Sequence, residues 1–158
     1  MSLPNEIEIR VLDARLNDWG LPRYQTALAA GLDLIACLDA PLTLEPQAPA
    51  VLIPSGLALH MNAEGLCAMV LPRSGLGHKK GLVLGNGVGL IDADYSAQLY
   101  ISAWNRNPAE SGRAITVQPG ERIAQLVFVP VLRPALRVVE QFSAGSVRGA
   151  GGFGSTGV

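Results

Sequence analysis

Charge, aromatics and cysteine are all scarce in this chain of 158 residues. Charged side chains make up 16 % and aromatics 5 %, and there are two cysteines. A net charge of −1 argues against a dedicated nucleic-acid binder, which needs a basic face. No apolar run approaches the roughly 18 residues of a membrane helix. Yet 49 % of the residues are apolar and mean hydropathy is +0.29. With no membrane segment to account for it, that surplus points to contacts between subunits. The first residues, Met1 to Glu6, hold no basic stretch leading into an apolar one, so no secretory leader is expected. Cys37 and Cys67 lie in apolar segments without His or Cys at metal-ligating spacing. They read as reduced core residues of a cytoplasmic protein. The length fits one domain with a real core.

The central stretch is Gly85-Asn86-Gly87-Val88-Gly89-Leu90-Ile91-Asp92-Ala93-Asp94-Tyr95. Three glycines in five residues exclude a helix and allow a tight reversal. The apolar run at 81–84 leads in and the strand-like run at 97–104 leads out. That layout predicts a β-hairpin with a wide, glycine-lined tip. Such a tip lets a flat ligand approach the main chain. Asp92, Asp94 and Tyr95 follow it directly; an ordinary turn carrying solvated acids is the plain alternative.

Around the hairpin the chain reads as short strands. Residues 6–11 alternate polar and apolar side chains, the mark of a half-buried strand. Residues 12–24 read as irregular, broken at Gly20 and Pro22. Residues 26–36 hold small residues suited to close packing. Asp33 stands there between Leu32 and Leu34, either an outward carboxylate or a buried acid held by a cation. Pro41, Pro46, Pro49 and Pro54 punctuate short runs such as 50–53. Further strands are expected at 56–61, 66–71, 114–117 and 122–131, with a polar loop at 105–112. Strands spaced by about 8–12 residues with Gly and Pro between them predict an all-β sandwich or barrel. His60 reads as structural.

Pro72-Arg73-Ser74-Gly75 is different in kind. Ser74 is placed to cap a short helical turn from near Gly75, which Gly81 would end. Amides at a helix start beside Arg73 make an anion site, though a surface turn has the same sequence. Lys79 and Lys80 read as solvated. Gln125, inside a strand, needs a partner: a neighbouring strand or a ligand oxygen. The last eleven residues hold five glycines with Arg148, Phe153 and Ser155. The match of 149–154 to G-x-G-x-x-G is not a Rossmann fingerprint, because no helix can follow in the remaining residues. The tail is either disordered or an arm that orders over a ligand.

Taken together these stretches resemble the homotrimeric dUTPase family over nearly the whole chain. The five motifs appear in order: Ala30-Gly31-Leu32-Asp33-Leu34, Pro72-Arg73-Ser74-Gly75, Gly89 to Tyr95, Arg122-Ile123-Ala124-Gln125-Leu126, and Arg148 to Gly157. The resemblance implies a distorted jelly-roll β-barrel of the β-clip type with one short helix. The barrel domain would span 1–145, and a flexible arm, 146–158, would close the site. It implies trimers with active sites shared between chains. The implied reaction is dUTP plus water to dUMP plus pyrophosphate, limiting uracil in DNA and supplying dUMP for dTMP synthesis.

By the same resemblance Asp92 orients and deprotonates the attacking water. Arg73, Ser74, Gly75, Gln125, Arg148 and Ser155 contact phosphates. Mg²⁺ bridges those phosphates, with no protein ligand of its own. Asp33 supports the site from behind. Asn86, Gly89, Leu90 and Ile91 read the uracil edge, Tyr95 packs on the deoxyribose, and Tyr100 stands near the base. Phe153, beside Gly154, closes over the base. Cytosine at that edge leaves buried groups unpaired, at roughly 1–3 kcal/mol each. The family pattern has glycine two residues after the tyrosine, where this chain has Ala97. At a positive φ alanine is strained by about 1 kcal/mol or more, which would loosen sugar discrimination.

Three other readings share the strand pattern. Deoxycytidine triphosphate deaminase has a related fold but requires a glutamate near the base, and none lies between Glu64 and Glu110. A non-catalytic nucleotide-binding regulatory trimer would have no use for a water-activating acid. A purely structural jelly roll leaves the Pro-Arg-Ser-Gly turn without purpose.

Overall fold

A computed structural model describes residues 6–145. Ten strands form two four-stranded antiparallel sheets and a two-stranded ribbon. The strands are β1 (Glu8–Val11), β2 (Leu32–Ile35), β3 (Leu42–Leu44), β4 (Val51–His60) and β5 (Leu66–Pro72). They continue as β6 (Leu82–Leu84), β7 (Gly89–Ile91), β8 (Gln98–Asn105), β9 (Ile115–Val117) and β10 (Arg122–Pro130). One sheet runs β1-β4-β8-β6, the other β2-β10-β5-β7, and β3 pairs with β9. The crossing connections and antiparallel pairing make this a jelly-roll-type all-β fold, as expected. The inward side chains of both sheets, among them Leu34, Ile53, Leu99, Ile101 and Leu126, form one core. Burial of such side chains contributes roughly 1.5–3 kcal/mol each before entropy is counted.

The structure corrects several local readings. Residues 12–24 are not wholly irregular, since Leu16–Trp19 makes one helical turn, α1. Leu16 anchors it in the core. Arg15 pins it from outside, forking Asp13 through Nε and Nη2, pairing with Asp39 at 3.0 Å and lying over the Trp19 ring. The Arg15 guanidinium holds the Asp13 carboxyl below its ordinary value near 3.8. Burial, then the Asp13 charge, pushes the adjacent Cys37 thiol up to about 11, so it stays protonated and inert. The runs at 50–53 and 56–61 are one strand, β4, carried through Pro54 by an irregularity between Pro54 and Ala58. Strand β3 escaped the sequence reading because its three residues show no periodicity. It is defined by its partner β9, through Leu42 opposite Val117 and Leu44 opposite Ile115.

The polar loop at 105–112 begins in a buried knot. Asn105 Nδ2 donates to the Leu44 and Arg113 carbonyls, and its Oδ1 accepts from Asn107. Asn107 Nδ2 also reaches the Lys80 carbonyl at 2.8 Å. A Cβ on Gly81, whose φ is +85°, would fall 2.7 Å from Asn107 Oδ1. Glycine is therefore fixed at 81 by both conformation and space. This knot holds the end of the helical turn that follows the Pro-Arg-Ser-Gly stretch.

Candidate active site

The hairpin expected at 81–104 exists at its base, with Leu82, Val83 and Leu84 opposite Asn105, Trp104 and Ala103. Its tip is not a free loop. Residues Gly89, Leu90 and Ile91 cross over as β7 and pair with Val70, Met69 and Ala68 of β5 in the other sheet. The tip thus sews the two sheets together, and its apparent looseness in sequence becomes a fixed edge. Asn86 lies before this edge, its carbonyl accepting from the Val88 amide at 2.8 Å. Asp92 follows it, in a tight turn closed by the Tyr95 amide on the Asp92 carbonyl. Tyr95 Oη donates to the Gln98 carbonyl at 2.8 Å, fixing the ring at the start of β8. Tyr100 is half-exposed on β8, opposite Pro54.

Ala97 is not strained. Among the described residues the only non-glycine positions with positive φ are Gln47 and Asn62. The expected cost at 97 is absent, and with it the structural reason to expect a loosened sugar pocket.

A cavity of about 730 Å³ gathers Gly31, Asp33, Arg73, Ser74, Gly75 and Gln125. Its register comes from the sheet: Gln125 on β10 faces Asp33 on β2 and Leu71 on β5. Asp33 is an inward acid held by cations, one of the two readings left open. Its side chain is 14 % exposed, with Arg73 Nε at 2.9 Å from Oδ1 and Arg122 Nη1 at 3.2 Å from Oδ2. Gln125 Nε2 donates to the Pro72 carbonyl at 3.0 Å, and a Cβ on Gly31 would come 2.9 Å from its Oε1. The amide keeps a second N–H for another acceptor. Ser74 does not cap the helical turn: the π-helical turn Leu76–Lys80 has Gly75 at its N-cap and no side-chain cap bond. Instead the Gly77 amide donates to the Arg73 carbonyl, tying the turn to the residue that carries the guanidinium. Lys79 and Lys80 are exposed, as read from the sequence. Both line the cavity, and Lys80 pairs with Glu121 at 3.7 Å.

Asp92 is not in that cavity. It lines a second one of about 850 Å³ with Asn62, Glu64, Leu90, Asp94 and Arg133. Glu64 therefore stands in the cavity of Asp92, although the hairpin itself carries no glutamate. The sheet explains the separation. Ile91 pairs with Ala68, so Asp92 continues toward the Cys67 end of β5, while Arg73 follows its other end, after Pro72. At about 3.3 Å per residue, the two ends lie on the order of 20 Å apart. The chain thus presents a cationic cluster and an acidic cluster toward opposite ends of β5. Arg148, Phe153, Gly154 and Ser155 lie outside the described residues.

The family model described as dUTPase matches residues 17–157. The chain belongs to the dUTPase family. It is 55 % identical over 158 residues to the deoxyuridine 5'-triphosphate nucleotidohydrolase of Xanthomonas campestris pv. campestris strain B100, covering 99 % of each chain. The enzyme of the same name from Xanthomonas oryzae pv. oryzae strain MAFF 311018 is 56 % identical over 161 residues, covering 100 % of this chain and 99 % of that one. Among solved structures, a mutant Staphylococcus bacteriophage 80alpha dUTPase with dUpNHpp superposes with a TM-score of 0.85 at 29 % identity. That match covers 98 % of this chain and 100 % of the other. A mutant dUTPase from phage phi11 of S. aureus, described with a structural Mg(II) ion, gives 0.76 at 26 % identity, covering 89 % of this chain and 100 % of that one.

Two residues of this family member stand in its motifs but were not singled out as site residues in the sequence. Gly31 reads as a packing residue until Gln125 is seen above it, and Arg122 reads as a strand start until it meets Asp33. Both depend on the pairing of β2 with β10, which no local pattern encodes. No helix among the described residues is long and apolar enough to cross a membrane.

Proposed function

We propose that this protein hydrolyses dUTP to dUMP and pyrophosphate, acting as a homotrimer whose sites are built from more than one chain. The observation that carries the shared site is the distance between its halves. A general base must stand at the α-phosphorus while the cradle grips the phosphates bonded to it. A separation on the order of 20 Å along β5 does not allow that within one chain. Cradle and base meet only when a second copy brings its Asp92 to the Arg73 side. The segment at 131–142 supports assembly: it forms no regular structure and leaves Leu132, Leu136, Val138 and Phe142 almost fully exposed. Apolar surface of that kind calls for a partner chain.

In this reading dUTP enters with its phosphates against Arg73, Ser74, Gly75 and Gln125, completed by Arg148 and Ser155. Uracil lies along Asn86 and Gly89 to Ile91, the sugar against Tyr95, with Tyr100 near the base and Phe153 and Gly154 covering it. Asp92 takes a proton from water as its oxygen attacks the α-phosphorus. The bond to the bridging oxygen breaks and pyrophosphate leaves. Among the described residues no ion pair engages Asp92.

Mg²⁺ fits this chemistry as an ion held by the phosphates and water. Both oxygens of Asp33, the carboxylate in the cradle, are engaged by arginines, which leaves no protein anion there to ligate it. Bound in that way it would offset the charge of the leaving group. The unbridged cysteines Cys37 and Cys67 support a reducing compartment, the cytoplasm.

The test is pyrophosphate release with Mg²⁺ from dUTP, dCTP, dTTP and UTP, comparing wild type with Asp92→Asn. Release from dUTP alone, lost in the variant, is the expected result. Ammonia from dCTP would make the protein a deaminase, and binding of dUTP without turnover would make it a regulatory trimer.

A further inference from the structure

Two of the aspartate–arginine pairs among the described residues, Arg15–Asp13 and Arg73–Asp33, differ in one respect. Arg15 grips Asp13 as a fork, Nε on Oδ1 at 2.9 Å and Nη2 on Oδ2 at 2.6 Å. Arg73 does not grip Asp33 in that way. Its Nε reaches Oδ1 at 2.9 Å, its Nη1 donates to the Arg122 carbonyl at 2.9 Å, and Arg122 Nη1 occupies Oδ2. An arginine and a carboxylate left to themselves favour the two-bond fork. In the cradle the second oxygen is turned to Arg122 instead, and Arg73 meets the carboxylate through Oδ1.

We infer that Arg122 is a positioning residue for the phosphate cradle. By drawing Asp33 Oδ2 toward its own guanidinium it orients the carboxylate away from a fork with Arg73, and so keeps Arg73 Nη2 available for a substrate phosphate. This rests on the proposed reading of the cradle as the dUTP phosphate site. The main-chain carbonyl of Arg122 steadies Arg73 Nη1 whatever the side chain at 122. A substitution there therefore tests the side chain's hold on Asp33 alone. Without that side chain, Asp33 can turn and take Nη2 as well. The guanidinium would then spend on its own protein the donors it should offer to phosphate.

A kinetic double-mutant cycle on the full-length protein tests this. Arg122→Ala and Arg122→Lys are each made in the wild type and in Arg73→Lys, whose ammonium has no fork to misdirect. Arg122→Ala is expected to lower kcat/KM for dUTP about tenfold, chiefly through KM, as for one lost charge-assisted contact. Arg122→Lys should restore most of the loss, because an ammonium can also hold Oδ2. In the Arg73→Lys background, Arg122→Ala should cost less than about twofold. Equal losses in both backgrounds, or a lysine variant no better than alanine, would overturn the assignment and leave Arg122 a purely structural residue. If Arg122→Ala does not fold, Arg122→Met keeps the aliphatic stem and takes its place in the cycle. A wild type that releases no pyrophosphate from dUTP removes the proposed function and this role with it.

Discussion

The two half-sites of this chain are built by opposite means. The cradle around Arg73 is cross-braced: Asp33 is held by two arginines, Gln125 is pinned on Pro72, and the helical turn is tied back through Asn107. The turn around Asp92 is fixed by main-chain bonds, from the Asn62 amide to the Ala93 carbonyl and from the Tyr95 amide to the Asp92 carbonyl. Its carboxylate makes no ion pair or side-chain hydrogen bond among the described residues. In the proposed reading the difference follows from the work each half would do. Donors that must meet a polyanion gain from being held in place beforehand. An acid that must accept a proton loses basicity with every cation set against it.

The sharpest way to break this comparison is to neutralise one acid on each side. Asp92→Asn should lower turnover by about 10²–10⁴-fold while dUTP binding survives, as measured by calorimetry. Asp33→Asn should do less to turnover and more to binding. With two arginines left facing each other, kcat/KM is expected to fall about 10–100-fold, with a clear drop in the unfolding midpoint. If the two variants changed the same parameter equally, the division of labour would be wrong.

A gentler probe adds a single methyl group to the cradle. Gly31→Ala places a Cβ where Gln125 Oε1 now stands, and the end of that flexible side chain can swing away. Stability should change by less than about 1 kcal/mol, while kcat/KM falls about tenfold through the displaced amide. Loss of stability without loss of activity would show that Gln125 only joins strands.

On the other side, Ala97→Gly tests whether the family's glycine matters here. Because Ala97 lacks a positive φ, glycine should lower stability by about 0.4–1 kcal/mol by enlarging the unfolded ensemble. UTP discrimination should not improve.

The smallest expected effect lies away from both halves, at the forked pair. The Asp13 carboxyl is depressed by Arg15, so its contribution to stability is present above pH about 3.8 and lost as pH falls through the lower folded value. Asp13→Asn should therefore be less stable than wild type near neutrality. The gap should close below that pH in denaturant titrations.

Much of this was legible in the chain itself. Alternation at β1, the apolar run of β10 and the glycines about the hairpin named most strands, because side-chain period is a local property. The order and spacing of five motifs named the family, because each needs only a few consecutive residues. Asp33 was recognisable as an odd acid between two leucines, though not its partners. Three of the short elements were not legible: β3, β7 and α1 hold too few residues to show a period. They owe their existence to Val117, to β5 and to the socket that receives Leu16.

What the sequence determined by itself is thus the set of chemical groups: the acid at 92, the cations and amides at 73–75 and 125, and the all-β class. What only the tertiary structure decided is which of them meet. Pairing of β10 with β2 on one side and with β5 on the other delivered Arg122 and Arg73 to the two oxygens of Asp33, and pairing of β7 with β5 carried Asp92 to the far end of the same sheet. Strand register links residues tens of positions apart through hydrogen bonds between identical main chains. Nothing in the residues near Asp92 or near Arg73 records that the two lie toward opposite ends of one strand.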